Sequence, residues 1–154
     1  MKLSCKSFYA VRALFDMAYH GGNTPSKIDD IAERERVSPR FLEQIFQDLK
    51  KADLIGSKRG PRGGYFLTQP PDSITFGKII RAVEGDTEDS FCREYNNLAE
   101  GETTQSMNIT SPVWRELAQR IDDVLDSVTI QDLVERGEAV GVQREGYHGF
   151  VYVI

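Results

Sequence analysis

Long apolar runs are absent from this sequence. No segment approaches the ~18 consecutive apolar residues that a membrane-spanning helix needs, so no membrane association is expected. The first residues, MKLSCKSFYAV, contain neither a long apolar segment nor a small-residue cleavage site, which argues against a secretory signal. Cysteine is scarce too: Cys5 and Cys92 lie far apart, which is no disulfide framework, so two free thiols in a reducing cytosol are expected. These absences predict a cytoplasmic protein.

Histidine is equally scarce, and its two copies do not indicate an enzyme. His20 ends an amphipathic segment and His148 falls in a predicted terminal strand, where each is expected to be structural or solvated. No Cys-His or Ser-His-Asp arrangement can be identified. We therefore predict a non-enzymatic protein, and its 154 residues, 40% of them hydrophobic, are enough for one buried core.

Positive charge is in the minority but unevenly distributed. The formal net charge is −5, yet residues 1–68 carry 12 Lys and Arg against 8 Asp and Glu, and residues 69–154 carry 7 against 16. A basic N-terminal half in an acidic protein is compatible with nucleic-acid binding by that half. Because a weakly basic half is common by chance, charge alone decides little.

Two helices are predicted before residue 38. The first covers residues 3–20 and is stopped by Gly21-Gly22. The second begins at Ser26, which is a candidate N-cap supported by Asp29 three positions later. The apolar positions that carry the helical spacing are Phe8, Val11, Leu14, Phe15 and Ala18 in the first helix, and Ile28, Ile31 and Ala32 in the second.

A third helix is predicted over residues 38–52. Ser38 is a plausible N-cap, and Pro39 suits the first helical position because that residue needs no N–H donor. One face is an apolar stripe of Phe41, Leu42, Ile45, Phe46 and Leu49, and the other face carries Arg40, Glu43, Gln44, Gln47 and Lys51. Two helices joined by a short turn are typical of a helix-turn-helix, whose second helix enters the major groove of DNA.

A basic hairpin is predicted directly after this helix, in SKRGPRGGYFL at 57–67. The segments DLIGSK and GGYFLTQ pair as strands, and RGPRG forms the turn. Neither a P-loop nor a dinucleotide fingerprint fits, because the Gly-Lys-Ser/Thr ending is absent and no helix follows the glycines. The hairpin is a wing whose Lys58, Arg59 and Arg62 are expected beside duplex phosphates. The turn contains Gly60, Gly63 and Gly64. These glycines allow positive φ and let backbone N–H groups approach a phosphate closely.

The remainder divides into a helix from Thr75 to Gly85, a polar acidic loop over 86–109 that contains Cys92, and a long helix after Ser111-Pro112. A short helix, TIQDLVERG, and a terminal strand, GYHGFVYVI, follow. The long helix carries apolar residues that are spaced as in a coiled-coil seam. This spacing indicates a dimer interface or packing within the chain. The residues are Trp114, Leu117, Ile121, Val124 and Val128.

The predicted units are a winged helix-turn-helix over 1–85, an effector loop over 86–109 and a dimerisation segment over 110–154. The predicted fold class is mainly α with a small β wing.

Several of these motifs together resemble the Rrf-two type of bacterial winged-helix regulators. The likeness covers about residues 1–136 and includes DIAER, SPRFLEQIFQDLKKADLIGSKRGPRGGYFL, ITFGKIIRAVEG and VWREL. Its most specific parts are the helix start Phe41-Leu42-Glu43-Gln44 and the wing 59–65. The ending FVYVI is similar to the aromatic C-terminus of the cysteine-metabolism branch of that family.

The resemblance implies a homodimer that places two winged helices on a palindromic operator. It also implies that the long helix of each chain crosses to the partner. We take the DNA-contacting residues to be Ser38, Pro39, Arg40, Glu43, Gln44, Lys58, Arg59, Gly60, Arg62, Gly63, Gly64 and Tyr65. Gln44 suits adenine, and Arg40 or Arg59 suits guanine or phosphate. Glu43 accepts from cytosine N4 and repels phosphate, so it is expected to reject wrong sequences rather than raise affinity.

The effector is less well defined by the resemblance. Cluster-binding members have three cysteines before the long helix; Cys92 matches the first, and Asn108 stands near the third position. One thiolate cannot hold a two-iron cluster, which needs four protein ligands. Three alternatives stay open: no cluster, with regulation by thiol chemistry or a metabolic-enzyme partner; an iron–sulphur site that uses Cys92 with Cys5, Glu94 or His20; or replaced ligands at Ser106 and Ser111. The expected signal is redox, iron–sulphur or cysteine metabolism.

A second function from a different class is a winged-helix module that binds a protein through its acidic C-terminal half. The salt dependence of binding separates the two. DNA binding through several phosphates weakens steeply with salt, at a logarithmic slope of about −0.9 per phosphate contact.

Overall fold

The computed structural model describes residues 3–22, 24–97 and 103–144, the side chains at 91 and 94–96 excepted. The helices and strands in chain order are α1 (Cys5–Asp16, continued by a π-helical turn, Met17–Gly21), α2 (Ile28–Glu35), α3 (Pro39–Lys51), β1 (Ile55–Lys58), β2 (Gly64–Leu67), α4 (Phe76–Glu84), α5 (Thr87–Asn96), α6 (Gln105–Asp126) and α7 (Ile130–Ala139). Within these ranges no helix is both long and apolar enough to span a membrane. The fold class is confirmed: helices with one two-stranded antiparallel sheet, arranged as a winged helix.

The core lies between α1, α3 and α4. Leu14 of α1, Leu42 of α3 and Ile79 of α4 are each fully inaccessible to solvent. α7 adds Ile130 and Val134 to the same cluster, although some 110 residues separate it from α1. α7, which belongs to the predicted dimerisation segment 110–154, therefore packs into the core of the winged helix.

The start of α2 differs from the prediction. Its N-cap is Lys27, without a side-chain hydrogen bond, and not Ser26. Ser26 instead pairs with Tyr65 in an isolated antiparallel bridge, with both N–H to O=C distances at 2.8 Å. The backbone of Ser26 thus adds a single bridged residue beside β2, so this residue serves the wing rather than the helix.

The predicted acidic loop at 86–109 is also wrong, because much of it is helical. α5 covers Thr87–Asn96, and α6 begins at Gln105, seven residues before Pro112. Thr104 caps α6 by accepting from the N–H of Met107 at 3.3 Å. Pro112 suggested a helix start because proline favours the first turn, but it lies inside α6. The predicted terminal strand at 146–154 lies outside the described residues.

The two ends of the winged helix are joined by Glu84, the last residue of α4. Its Oε1 accepts from the Ser4 N–H at 2.9 Å and from the Ser7 hydroxyl at 2.6 Å, as well as from the Ser4 hydroxyl. Burial raises the pKa of Glu84, but the hydrogen bonds from Ser4 and Ser7 and the charge of Lys6 outweigh it. The pKa is therefore lowered from its ordinary value of 4.5.

Stability should accordingly depend on pH through Glu84. A lowered folded-state pKa gives stabilisation that is complete above the ordinary value of 4.5 and is lost as the pH falls through the folded value. The difference in free energy of unfolding between the unchanged protein and Glu84→Gln should therefore shrink between pH 7 and about pH 3. Urea unfolding at several pH values measures it, with Glu43→Gln at an exposed position as control. A difference that stays constant over this range would contradict the assignment.

Candidate nucleic-acid interface

The start of α3 confirms the local prediction. The Ser38 hydroxyl accepts from the Phe41 N–H at 3.2 Å, and Pro39 occupies the first helical turn. Leu42, Ile45, Phe46 and Leu49 are buried, with Phe41 half-buried beside them. Because this stripe fixes the rotation of α3 about its axis, the opposite face points outward.

That outward face carries the residues predicted to read DNA. Arg40, Glu43 and Gln44 are exposed, and no described residue forms a hydrogen bond or ion pair with their side chains. An exposed Arg, Gln and Glu near the N-terminal end of a helix match the way in which recognition helices present side chains to base edges. These three side chains are available to a ligand outside the chain.

The wing is an antiparallel hairpin attached to α3. β1 pairs with β2 so that Lys58 faces Gly64, and the predicted segments and turn agree with this register. Lys50 near the end of α3 donates to the Ser57 hydroxyl at 2.7 Å. The Tyr65 ring packs edge-on against Phe46, with centroids 4.7 Å apart. Tyr65, predicted as a DNA contact, is half-buried at the base of the wing.

The glycines of the turn have different roles. Gly60 and Gly64 have φ of 110° and 150°, whereas Gly63 does not need positive φ. The sequence suggested that the Gly63 N–H approaches a phosphate. In the structure this N–H donates to the Gly60 carbonyl at 2.8 Å, so the donor is used inside the turn. At Gly64 a Cβ would lie 2.5 Å from the Ser26 carbonyl oxygen, so any side chain would push β2 away from the Ser26 backbone.

Cations without internal partners are grouped on these two elements. Arg40, Lys58, Arg59 and Arg62 are exposed and make no ion pair with a described carboxylate. Elsewhere Arg12 pairs with Glu35 at 2.6 Å and Arg34 with buried Asp16 at 2.7 Å. Unpaired cations at the surface are the ones free to exchange counterions for phosphates.

One cation near the wing was not identified from the sequence. Lys27 is exposed, and its backbone N lies 3.3 Å from where a Cβ on Gly64 would be. The Ser26–Tyr65 bridge brings it there. No local pattern signals such a long-range pairing, which is why sequence reasoning missed Lys27.

The predicted dimer seam on α6 is largely apolar surface that this chain leaves uncovered. Leu117 is 40% exposed, Val124 67% and Trp114 39%. Ile121 is half-buried, and Val128 lies beyond the end of α6, where its carbonyl accepts from the Phe76 N–H at 2.9 Å. The exposed surface instead extends toward the N-terminus of α6, through Val113 (53%) and Ile109 (67%). We call Ile109, Val113, Leu117 and Val124 the α6 stripe.

The two cysteines are in unlike environments. Cys92, on α5, is completely buried, while Cys5, at the start of α1, is exposed. Ser106 is exposed, and its hydroxyl lies 2.9 Å from that of Thr104. In the part of the chain that the structure describes, no three His, Cys, Asp or Glu side chains are close enough to share a metal ion. The described residues therefore do not bring together the four protein ligands that a two-iron cluster needs.

Comparison with known proteins gives consistent matches over most of the chain. The model of the Rrf2 family, described as an iron-dependent transcriptional regulator, matches residues 3–136. The HTH-type transcriptional regulator IscR of Erwinia tasmaniensis is 37% identical over 142 residues, which cover 92% of this chain and 84% of the relative. The protein of the same name from Sodalis glossinidius is 36% identical over the same shares.

Solved structures agree in fold. IscR from T. potens superposes with a TM-score of 0.69 at 35% identity, covering 94% of this chain and 93% of that one. CymR, the global cysteine regulator of B. subtilis, gives 0.67 at 32% identity, with 88% and 98% covered. These relatives are regulators of transcription rather than enzymes.

Proposed function

The chain belongs to the Rrf2 family of helix-turn-helix transcriptional regulators, and from this premise we propose that it binds a palindromic operator as a homodimer through α3 and the wing. It is a DNA-binding regulator and not an enzyme. The observation that carries the proposal is the unpartnered face of α3, with Arg40, Glu43 and Gln44 exposed next to a cationic wing.

The roles within this interface follow from side-chain chemistry. Gln44 offers a donor and an acceptor to an adenine, and Arg40 offers two donors to a guanine. Lys58, Arg59, Arg62 and Lys27 contact phosphates, which fixes register but carries no sequence information. Glu43 penalises sites that place a phosphate or an acceptor in front of it.

The homodimer forms through the α6 stripe. Four apolar side chains between 40% and 67% exposed on one helix form a surface that monomeric proteins rarely leave in water. A two-fold axis would bring the same stripe of a second copy against it.

The chain then consists of two units. One is a winged helix over residues 3–85, to which α7 adds part of the core. The other is the dimerisation helix α6 with α5 packed on its side.

The signal is proposed to reach the protein without an intrinsic cluster. The described residues do not bring four ligands together, and Cys92, buried on α5, is the sole thiol of the effector region. Regulation through oxidation of Cys92 after α5 opens, or through binding of a metabolic-enzyme partner, fits this environment. Burial makes such a thiol slow to react until the helix moves.

Protein purified without oxygen should therefore be colourless and contain substoichiometric iron and sulphide. Its affinity for DNA should respond to a thiol oxidant, and Cys92→Ser should abolish that response, whereas Cys5→Ser should not. An absorption spectrum, iron and sulphide assays and DNA titration before and after oxidation measure these properties. Visible bands with stoichiometric iron would contradict the clusterless proposal, and an oxidant response that survives Cys92→Ser would contradict the role of Cys92.

A further inference from the structure

One oxygen of Asp122, on α6, joins three helices. Its Oδ1 accepts a hydrogen bond from the Arg81 guanidinium of α4 at 2.9 Å and another from the Thr87 hydroxyl of α5 at 2.7 Å. Thr87 is the first residue of α5 and is only 2% exposed. The helix that carries Cys92 and the last helix of the winged domain are thus bonded to the same atom.

A second carboxylate completes this junction. Asp126, one turn after Asp122, accepts from Arg81 Nη2 through both oxygens at 2.9 Å and from the Thr75 hydroxyl at 2.5 Å. Gly77 makes room for it, because a Cβ there would lie 2.1 Å from Asp126 Oδ1. A side chain at residue 77 would therefore displace the Asp126 carboxylate and the Arg81 guanidinium from this junction.

Arg81 and Asp126 of the junction are both charged at neutral pH. Burial lowers the pKa of Arg81, but the hydrogen bonds and charges of Asp126 and Asp122 outweigh it and raise the pKa above its ordinary value. Burial raises the pKa of Asp126, but Thr75, Arg81 and the charge of Lys78 outweigh it and lower the pKa. Charge-assisted bonds of this kind are the stronger class and hold a defined geometry.

The position of the junction on α6 gives it a mechanical role. At about 100° of rotation per residue, Asp122 and Asp126 lie about 140° and 180° around the helix from Leu117 of the α6 stripe. α6 therefore presents its stripe on one face and the junction on the other. Since α3 and α4 share one core, the seating of α4 on α6 sets where each recognition helix lies in a dimer.

We propose that Asp122 is a positioning residue that couples α5 to DNA binding, because α5 and the winged domain share its Oδ1. When α5 is packed against α6 with Thr87 bonded to Asp122, the junction fixes the distance between the two recognition helices of the dimer. When α5 moves away, that distance is no longer fixed. This rests on the proposed function, since it requires a dimer on a palindrome. Coupling is reciprocal, so DNA that selects the correct spacing must also hold α5 in place.

Reciprocity gives a test that uses Cys92 as a reporter. In a Cys5→Ser protein Cys92 is the sole thiol, and because it is buried, its reaction rate with a thiol reagent reports the opening of α5. The DNA probe is a duplex recovered by this protein from a random pool. Adding it should slow the labelling of Cys92 about fivefold or more.

The junction variants separate coupling from simple stability. Asp122→Asn and, without any change of charge, Gly77→Ala should reduce the effect of DNA on labelling to less than about twofold. The matched control Glu116→Gln removes an exposed ion pair of α6 with Arg120 and should leave the effect intact. Asp122→Asn and Gly77→Ala should also tolerate a changed operator. Each should bind a duplex with one base pair added between the half-sites nearly as tightly as it binds the original duplex. The affinity of both variants for non-specific DNA should stay unchanged.

The outcomes distinguish the two proposals. If no sequence is recovered from the pool, the proposed function fails and this inference with it. If the duplex is bound but does not slow labelling, or slows it as much in Asp122→Asn and in Gly77→Ala as in the protein with the unchanged junction, the coupling is wrong while the proposed function stands. Direct shielding of Cys92 by DNA would survive both variants and would therefore be recognised as such.

Discussion

A protein that carries Leu117→Glu together with Val124→Glu should be a monomer and should bind palindromic DNA about a hundred- to ten-thousand-fold more weakly. Both side chains belong to the α6 stripe and are already 40% and 67% exposed, so their replacement leaves the core untouched. In a dimer the two carboxylates would be buried against their copies, which is costly without paired cations. A monomer keeps its contacts to one half-site but loses the second, which was held at high effective concentration.

Light scattering measures the mass, and titration with a full palindrome and with a single half-site measures the affinity. The matched control is Gln119→Glu, which introduces a carboxylate on another side of α6, about 160° around the helix from Leu117 and about 140° from Val124. The control should remain dimeric. A dimeric mass for the double variant would place the interface elsewhere, and equal losses on the palindrome and the half-site would point to a damaged winged domain.

Replacement of Gln44 and of Arg59 by Ala should affect DNA binding in two different ways. Gln44→Ala removes a bidentate base contact worth about 1–3 kcal/mol, so we expect about a 5- to 150-fold loss on the selected sequence and little loss on random DNA. Arg59→Ala removes a phosphate contact, so binding to both kinds of DNA should weaken and the logarithmic salt slope should become shallower by about one.

Gln47→Ala is the matched control for the base contact, because Gln47 is an exposed residue of the same type farther from the N-terminal end of α3. It should change discrimination little, since bases are read from the N-terminal part of a recognition helix. Equal losses on selected and random DNA for Gln44→Ala would overturn the assignment of α3. Binding with almost no salt dependence would instead favour the protein-interaction module.

The parts of this molecule that could be predicted are those whose signals are local. Ser38, Pro39 and the apolar stripe of α3 specify its start and its buried face within a few residues. The wing is equally local, because Gly and Pro separate two short β-prone runs. A polar face opposite a buried stripe then identifies the candidate DNA-reading residues without knowledge of the tertiary structure.

The parts that were missed depend on contacts between distant residues. α5 was expected to be a loop because its ten residues, TEDSFCREYN, have little apolar surface, and helices this short are stabilised mainly by tertiary packing, here against α6. The pairing of the Ser26 backbone with the wing depends on Tyr65, 39 positions later in the sequence. Arg81 and Asp122 are unremarkable surface residues in sequence, and 41 positions separate them.

The contribution of α7 to the core has a consequence for synthesis of the protein. Ile130 and Val134 fill the same cluster as Leu14, so a ribosome must release nearly the whole chain before the winged domain can close its core. By then α6 has already been made. Chains that end before α7 lack part of that core, so they should be less stable and more exposed to proteolysis.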